Sequence, residues 1–304
     1  MKNRQKKRLT SDLCLLLILL AALIQMTVAW FVHQRQSQVE STAMRAVDLL
    51  DAGLSLDDKN YADTEEPIVP QLPDTLKMQP VTGDGVHLYL PRTDPYTGQV
   101  MTDSLGNWIV STPTAGKDYY VLDIYARADQ RAALSLEPGS AVTAAAVENR
   151  LLGENISGEY VAGIVRVAFV DVTNPDQKQL LAIWIPNNRY QITGSRDMGW
   201  SFNKQGEAET DWQYYDGTSV QKLADLGIAC ADYFDKDSQV QQQTLLSLTE
   251  RAENQDYPWW AHLQVVVWLE GMDRDAYAPQ MGGNVGLELK FKLEPVPAAA
   301  GEGQ

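Results

Sequence analysis

The chain has 304 residues, with 25 Lys and Arg against 40 Asp and Glu, a formal charge of −15 and a pI near 4.6. A surface of that sign repels polyanions, so no nucleic-acid partner is expected, since DNA and RNA recognition needs a clustered positive field. With 44% hydrophobic and 21% charged residues the composition is globular, and two cysteines with three histidines give neither a disulfide framework nor a four-ligand zinc site.

Residues 1–12 form a basic n-region, with Lys2, Arg4, Lys6, Lys7 and Arg8. Residues 13–32 follow as 20 residues without a charged side chain, which as a helix reach about 30 Å and cross a bilayer. The cations preceding this span hold the N-terminus in the cytoplasm and put the C-terminal domain outside. The small residues of Thr27-Val28-Ala29 offer a signal cleavage site after Ala29, so the helix has two fates: a retained signal anchor in the bacterial cell membrane, or removal with secretion of the rest. Without residues 1–32 the chain keeps 20 Lys and Arg against 39 Asp and Glu, a formal −19, so the exterior domain meets the membrane only through its helix. Cys14 reads as a lipid-facing small hydrophobe.

Residues 33–294 read as one extracellular domain. Within it, residues 57–80 carry Pro67, Pro70, Pro73 and Pro80 among acidic residues and read as an extended loop. Strands are expected at 86–90, 108–111, 121–126, 132–136, 160–172, 180–185, 245–248 and 263–269, runs of β-branched and aromatic residues bounded by Gly, Pro, Asn and Asp. Residues 285–293 alternate Val285, Leu287, Leu289, Phe291 and Leu293 with Gly, Glu and Lys, predicting a strand with one buried and one wet face. Apolar spacing at 141–152 and 220–233 predicts two short helices. Residues 295–304 read as a disordered tail. The expectation is an all-β, antiparallel sandwich with small helical insertions, preceded by one N-terminal transmembrane or signal helix.

The segment Thr27-Val28-Ala29-Trp30-Phe31, with Ser37, Val39, Ser41 and Met44 after it, resembles the export segment of the camelysin and TasA-like secreted proteins of Gram-positive bacteria, although Val32 and His33 replace the commoner acidic or polar residues. Asp123–Arg127, Val165–Val170, Ile183–Asn187, Val267–Asp273 and Leu287–Phe291 look like patches of a group of uncharacterised exported clostridial proteins with the same type of segment. The resemblance implies a jelly-roll-like sandwich and a cell-surface or biofilm-matrix location; it implies no catalytic residue.

Camelysin-like proteins carry a metallopeptidase label, yet the helical pattern of two His four apart with an adjacent Glu is absent, as is a Gly-x-Ser-x-Gly elbow. Asp211, Asp216, Asp232, Asp235, Asp237 and Glu207 lack the glycine and terminal Glu of an EF-hand and read as solvated acidic loops. Gly282–Gly286 leads into a strand and reads as a turn. No catalytic residue, metal site or cofactor is expected. Eight Trp and thirteen Tyr remain. Trp184 and Trp268 are expected in the core, while Trp212, Tyr214, Tyr215, Trp259 and Trp260 are the candidate ligand or interface aromatics, able to stack on sugar rings or to fill a protein interface.

The leading functional expectation is a non-enzymatic structural or matrix protein of the cell surface. A glycan-binding or adhesive module is the alternative, and a metal-dependent peptidase comes third. Self-association or contact with other surface proteins is also expected: residues 41–56, with Val47, Leu49, Leu50, Leu54 and Leu56, form a segment that either completes its own sheet or pairs with another chain's edge.

Overall fold

The computed structural model describes residues 50–62, 78–94, 99–144, 147–149, 154–156, 162–186, 191–195, 199–203, 212–231, 243–251, 256–273 and 285–296. The predicted span 13–32 and the cleavage site after Ala29 lie outside them, as do residues 33–49, 63–77 and 297–304. Among the described residues no helix is long and apolar enough to cross a membrane. All described residues fall within the compact unit Leu50–Gln304.

The fold is all-β. The strands run β1 (Ala52–Ser55), β2 (Pro80–Gly83), β3 (Leu88–Pro91), β4 (Val110–Ser111), β5 (Tyr120–Ala128), β6 (Ala132–Leu136), β7 (Ala141–Ala144), β8 (Val147–Asn149), β9 (Glu154–Ile156), β10 (Val165–Asp171) and β11 (Gln179–Trp184). They continue with β12 (Gln191–Ser195), β13 (Gly199–Asn203), β14 (Gln213–Tyr215), β15 (Val220–Lys222), β16 (Ala229–Ala231), β17 (Gln243–Ser247), β18 (Thr249–Glu250), β19 (Trp259–Glu270), β20 (Val285–Glu288) and β21 (Phe291–Pro295).

The large sheet is built around β19. One edge of this strand pairs with β10 and β18; the other pairs with β5 and, past the end of β5, with β2. Strand β1 closes on β5 within the same chain, Ala52 opposite Ala128 and Ser55 opposite Tyr125. One face packs on a second layer, in which β6 lies between β17 and β21 and is followed by the β7–β20 pair. Ile124, Leu134, Val167, Phe169, Trp184, Leu263, Val265 and Phe291 are buried between the layers. The opposite, outer face of the large sheet is covered in part by residues 86–90, by Trp212 and Tyr214, and by a 3₁₀ turn at Leu223–Leu226.

That covering explains a departure from the expected single wet face. Along β5 buried and partly exposed residues alternate, but β19 is buried at every position from Val265 to Glu270, where both faces are packed. Trp184 and Trp268 lie in the core, at 2% and 0% exposure.

Four further expectations are corrected. Residues 141–152 and 220–233 do not form α-helices: the described parts are β7 and β8 in the first, and β15, the 3₁₀ turn and β16 in the second. Pairing with distant strands, β20 on β7 and β11 on β16, overrides the weak helical spacing. The sheets are mixed, because β16 runs parallel to β11 and β2 parallel to β19. Residues 285–293 are two strands, as the ladder jogs where Glu137–Ser140 meets Leu289-Lys290; there the Ser140 hydroxyl accepts the Lys290 N–H at 2.9 Å and donates to the Glu137 carbonyl at 3.0 Å. Finally, the tail starts later than residue 295, since Pro295 ends β21 and the Val296 N–H donates to the Arg131 carbonyl at 2.9 Å.

The loop predicted at 57–80 ends earlier than expected, since Met78 is buried in the core and Pro80 begins β2 opposite Leu269; at its other end residues 57–62 turn back on β1. The Asp57 carboxylate accepts the N–H groups of Lys59 and Asn60 and the Ser55 hydroxyl, which holds it well below the usual carboxylate range. Leu54 and Ala62 then exchange both backbone hydrogen bonds at 2.9 Å.

Candidate functional site

The part of the outer face left uncovered is a ladder of polar and aromatic pairs. Because side chains on a strand alternate, the residues of β5 and β19 that point away from the core meet in register: Arg127 with Trp260, Tyr125 with His262, and Asp123 with Gln264, while the next pair, Val121 with Val266, belongs to the covered part. The His262 ring stacks on Tyr125 with centroids 4.3 Å apart, and its Nε2 lies 2.8 Å from Asp123 Oδ1. The same oxygen accepts the Gln264 carboxamide N–H at 2.9 Å. The His262 backbone N–H donates to the Thr173 hydroxyl at 3.1 Å.

At the β1 edge the ladder is stapled. The Arg127 guanidinium lies between the rings of Tyr61 and Tyr257, 4.0 Å from each centroid. The Tyr257 hydroxyl donates to the Asp51 carboxylate at 2.9 Å, and that interaction raises the Tyr257 hydroxyl above its ordinary pKa. The Asp51 N–H donates to the Asp129 carboxylate at 3.1 Å. Asp58, at φ +56°, accepts the Tyr61 hydroxyl and, at 3.4 Å, the Trp260 indole N–H. Burial is the main reason the Tyr61 hydroxyl is pushed well above its ordinary pKa. The segments around residues 51–62, 127–129 and 257–260 are thus cross-linked by side chains. Arg127→Ala is expected to cost about 1–2 kcal/mol and to expose the β1 edge to proteolysis; a urea midpoint equal to wild type would show that the two rings hold the edge without the cation.

The candidate aromatics divide. Trp260 is partly exposed on the ladder, with the Arg251 guanidinium 4.8 Å from its ring. Trp259, one residue away, faces the other side, packs against the core and carries Arg131 at 5.2 Å. Trp212 is partly buried against the outer-face cluster. Tyr214 and Tyr215 are buried, at 7% and 2% exposure, so their rings do not present a stacking surface. Tyr215 stacks on Trp108 with centroids 4.6 Å apart, meets Tyr89 edge-on, and donates its backbone N–H to Thr82. Arg127, Tyr61, Tyr125, Tyr257 and His262 were not among the candidate ligand or interface residues named from the sequence; they meet through pairing between distant strands.

Further along the same face, where β19 is covered on both sides, lies a buried polar group. Arg166 donates to the carbonyls of Gly163 and Val165 at 3.0 Å and to the Asp273 carboxylate at 2.5 Å. Glu270 accepts the Trp268 indole N–H and the Met272 backbone N–H, both at 2.9 Å. Burial nevertheless raises the Glu270 carboxyl to about 7. Asp216, expected as part of an acidic surface, caps its own turn: it accepts the N–H groups of Thr218 and Ser219, which lowers it to about 2. Glu207, Asp211, Asp232, Asp235 and Asp237 lie outside the described residues. Among the described residues no three His, Cys, Asp or Glu side chains gather at metal-binding spacing.

Comparison of the chain with protein-family models, with curated proteins and with solved structures finds no match.

Proposed function

We propose that the protein is a non-enzymatic structural or matrix protein of a Gram-positive cell surface, tethered by residues 13–32 or secreted after cleavage at Ala29. The observation that carries this reading is the stapled edge. The first described strand after the proposed tether, β1, is zipped along β5 and locked by Arg127, Tyr61, Tyr257 and Asp51, an arrangement suited to a domain held by its N-terminal end. For the fold we propose jelly-roll-like wrapping, supported by a chain that crosses from the large sheet to the second layer between β5 and β6, between β16 and β17 and between β19 and β20, and returns between β7 and β10 and between β17 and β18.

Protease treatment of intact cells, followed by blotting for the chain, tests the placement. Degradation in intact cells is expected, and the mass of the untreated product reports whether residues 1–29 are retained. A chain protected until lysis would overturn the exterior location.

The partly exposed Trp260, beside Tyr125, His262 and Arg251, favours a glycan-binding or adhesive role as the second reading. A glycan array comparing wild type with Trp260→Ala decides it, and an array without wild-type binding removes it. Self-association through residues 41–56 is a further proposal. The in-chain β1–β5 ladder supports its monomeric alternative, and size-exclusion chromatography of chains starting at Trp30 and at Asp57 separates the two.

A further inference from the structure

A cleft of about 360 Å³ lies between the β2–β3 hairpin and the outer face of the large sheet, within the size range of small-molecule sites. It is distinct from the stapled edge and does not depend on the structural reading above. Its floor is apolar: Val121 and Val266, directly opposed on β5 and β19, with Val170 of β10 beside them. One wall is the hairpin turn. This turn is seated hard on the sheet, because Gly85, at φ +88°, leaves no room for a side chain: a Cβ there would stand 2.4 Å from the Ala168 Cβ. Tyr119 contributes an aromatic wall.

The polar groups are few and oriented. Gln264 donates its carboxamide N–H to Asp123, which turns its oxygen toward the Lys178 ammonium, 3.4 Å away. Among the described residues Lys178 forms no ion pair, so its remaining protons are free at the mouth of the cleft. Asp123, linked to Lys178 through Gln264, is engaged by the Gln264 carboxamide and the His262 ring, and Asp84, in the hairpin turn, by the N–H groups of Val86 and His87 and by the His87 ring at 3.3 Å. A lone cation beside a valine floor, in a chain of net charge −15, matches an anion with an apolar body.

We propose that the cleft binds a small organic monocarboxylate with an alkyl or aryl body, the carboxylate paired with Lys178 and the body lying on Val121, Val170 and Val266. Calorimetric titration of the full chain in lipid nanodiscs, with 3-phenylpropionate as the probe and empty discs as the blank, tests it. One saturable site is expected, with about tenfold weaker binding both of the neutral 3-phenylpropionamide and of the acid to Lys178→Gln. Val121→Trp, which fills the floor, is expected to abolish binding. Lys178 lies in an exposed stretch, so Lys178→Gln should keep the wild-type unfolding midpoint; should the tryptophan variant not fold, the amide and Lys178→Gln measurements decide. Failure of the acid to bind, equal affinity for acid and amide, or affinity unchanged in Lys178→Gln would each overturn the proposal.

Discussion

Arg166→Leu is expected to destabilise the unit by about 3–5 kcal/mol, the cost of stranding one member of a buried ion pair. Both side chains are inside: Arg166 is 2% exposed and Asp273 is 6%. The leucine removes the Arg166 cation from the Asp273 carboxylate and the guanidinium N–H from the carbonyls of Gly163 and Val165. It also removes a charge that favours the ionised form of Glu270. Adding Asp273→Asn should recover part of the loss, so the double variant falls short of the sum of the single ones. Urea unfolding of the four proteins measures this, and a loss under about 1 kcal/mol for Arg166→Leu would contradict a desolvated pair.

The second large effect is a pH dependence centred on Glu270. Burial raises its carboxyl from the usual 4.5 to about 7, outweighing the indole of Trp268, the charge of Arg166, the N–H of Met272 and the hydroxyl of Thr82. A folded pKa above the unfolded one means that the folded state holds a proton the unfolded state has released. The associated stability is therefore complete below about pH 4.5, declines as pH rises toward about 7 and is gone above it, a total of about 3 kcal/mol. Lowered carboxylates such as Asp216, at about 2, act in the opposite sense and in a lower window, where their stabilisation is lost as pH falls. Urea midpoints at pH 5 and pH 8 should differ in wild type and converge in Glu270→Gln. Parallel profiles for the two proteins would remove Glu270 as the source.

The strands that were readable in the sequence are those whose own residues carry the decision. Residues 121–126 and 263–269 are rich in β-branched and aromatic side chains and lie within β5 and β19, and residues 132–136 coincide with β6. Residues 141–144 are a strand because β20, far along the chain, pairs with them, and their alanines and threonine gave no local sign of it. The division at Leu289-Lys290 was hidden for a related reason. Leu287, Leu289, Phe291 and Leu293 stay buried through the jog, so period-two alternation survives while the partner changes from β7 to β6. Trp260 was recognisable as a surface aromatic. Tyr214 and Tyr215 were not recognisable as interior, because the outer-face cluster that buries Tyr214 and the Tyr89, Trp108 and β2 hydroxyl groups that engage Tyr215 come from remote segments. The staple joins residues 61, 127 and 257, a meeting that no local pattern announces.

The position of β19 in the chain also bears on how the protein is made. Strands β2, β5 and β10 all pair with it, yet all three are synthesised well before residue 259. The sheet therefore cannot close on a nascent chain until residue 270 has emerged, and its contacts are of the distant kind that forms slowly. The same delay leaves the β19-facing edges of β5 and β10 unpaired until residues 259–270 have been made, so truncation before Trp259 is the lesion that would convert this protein from a folding chain into an aggregating one.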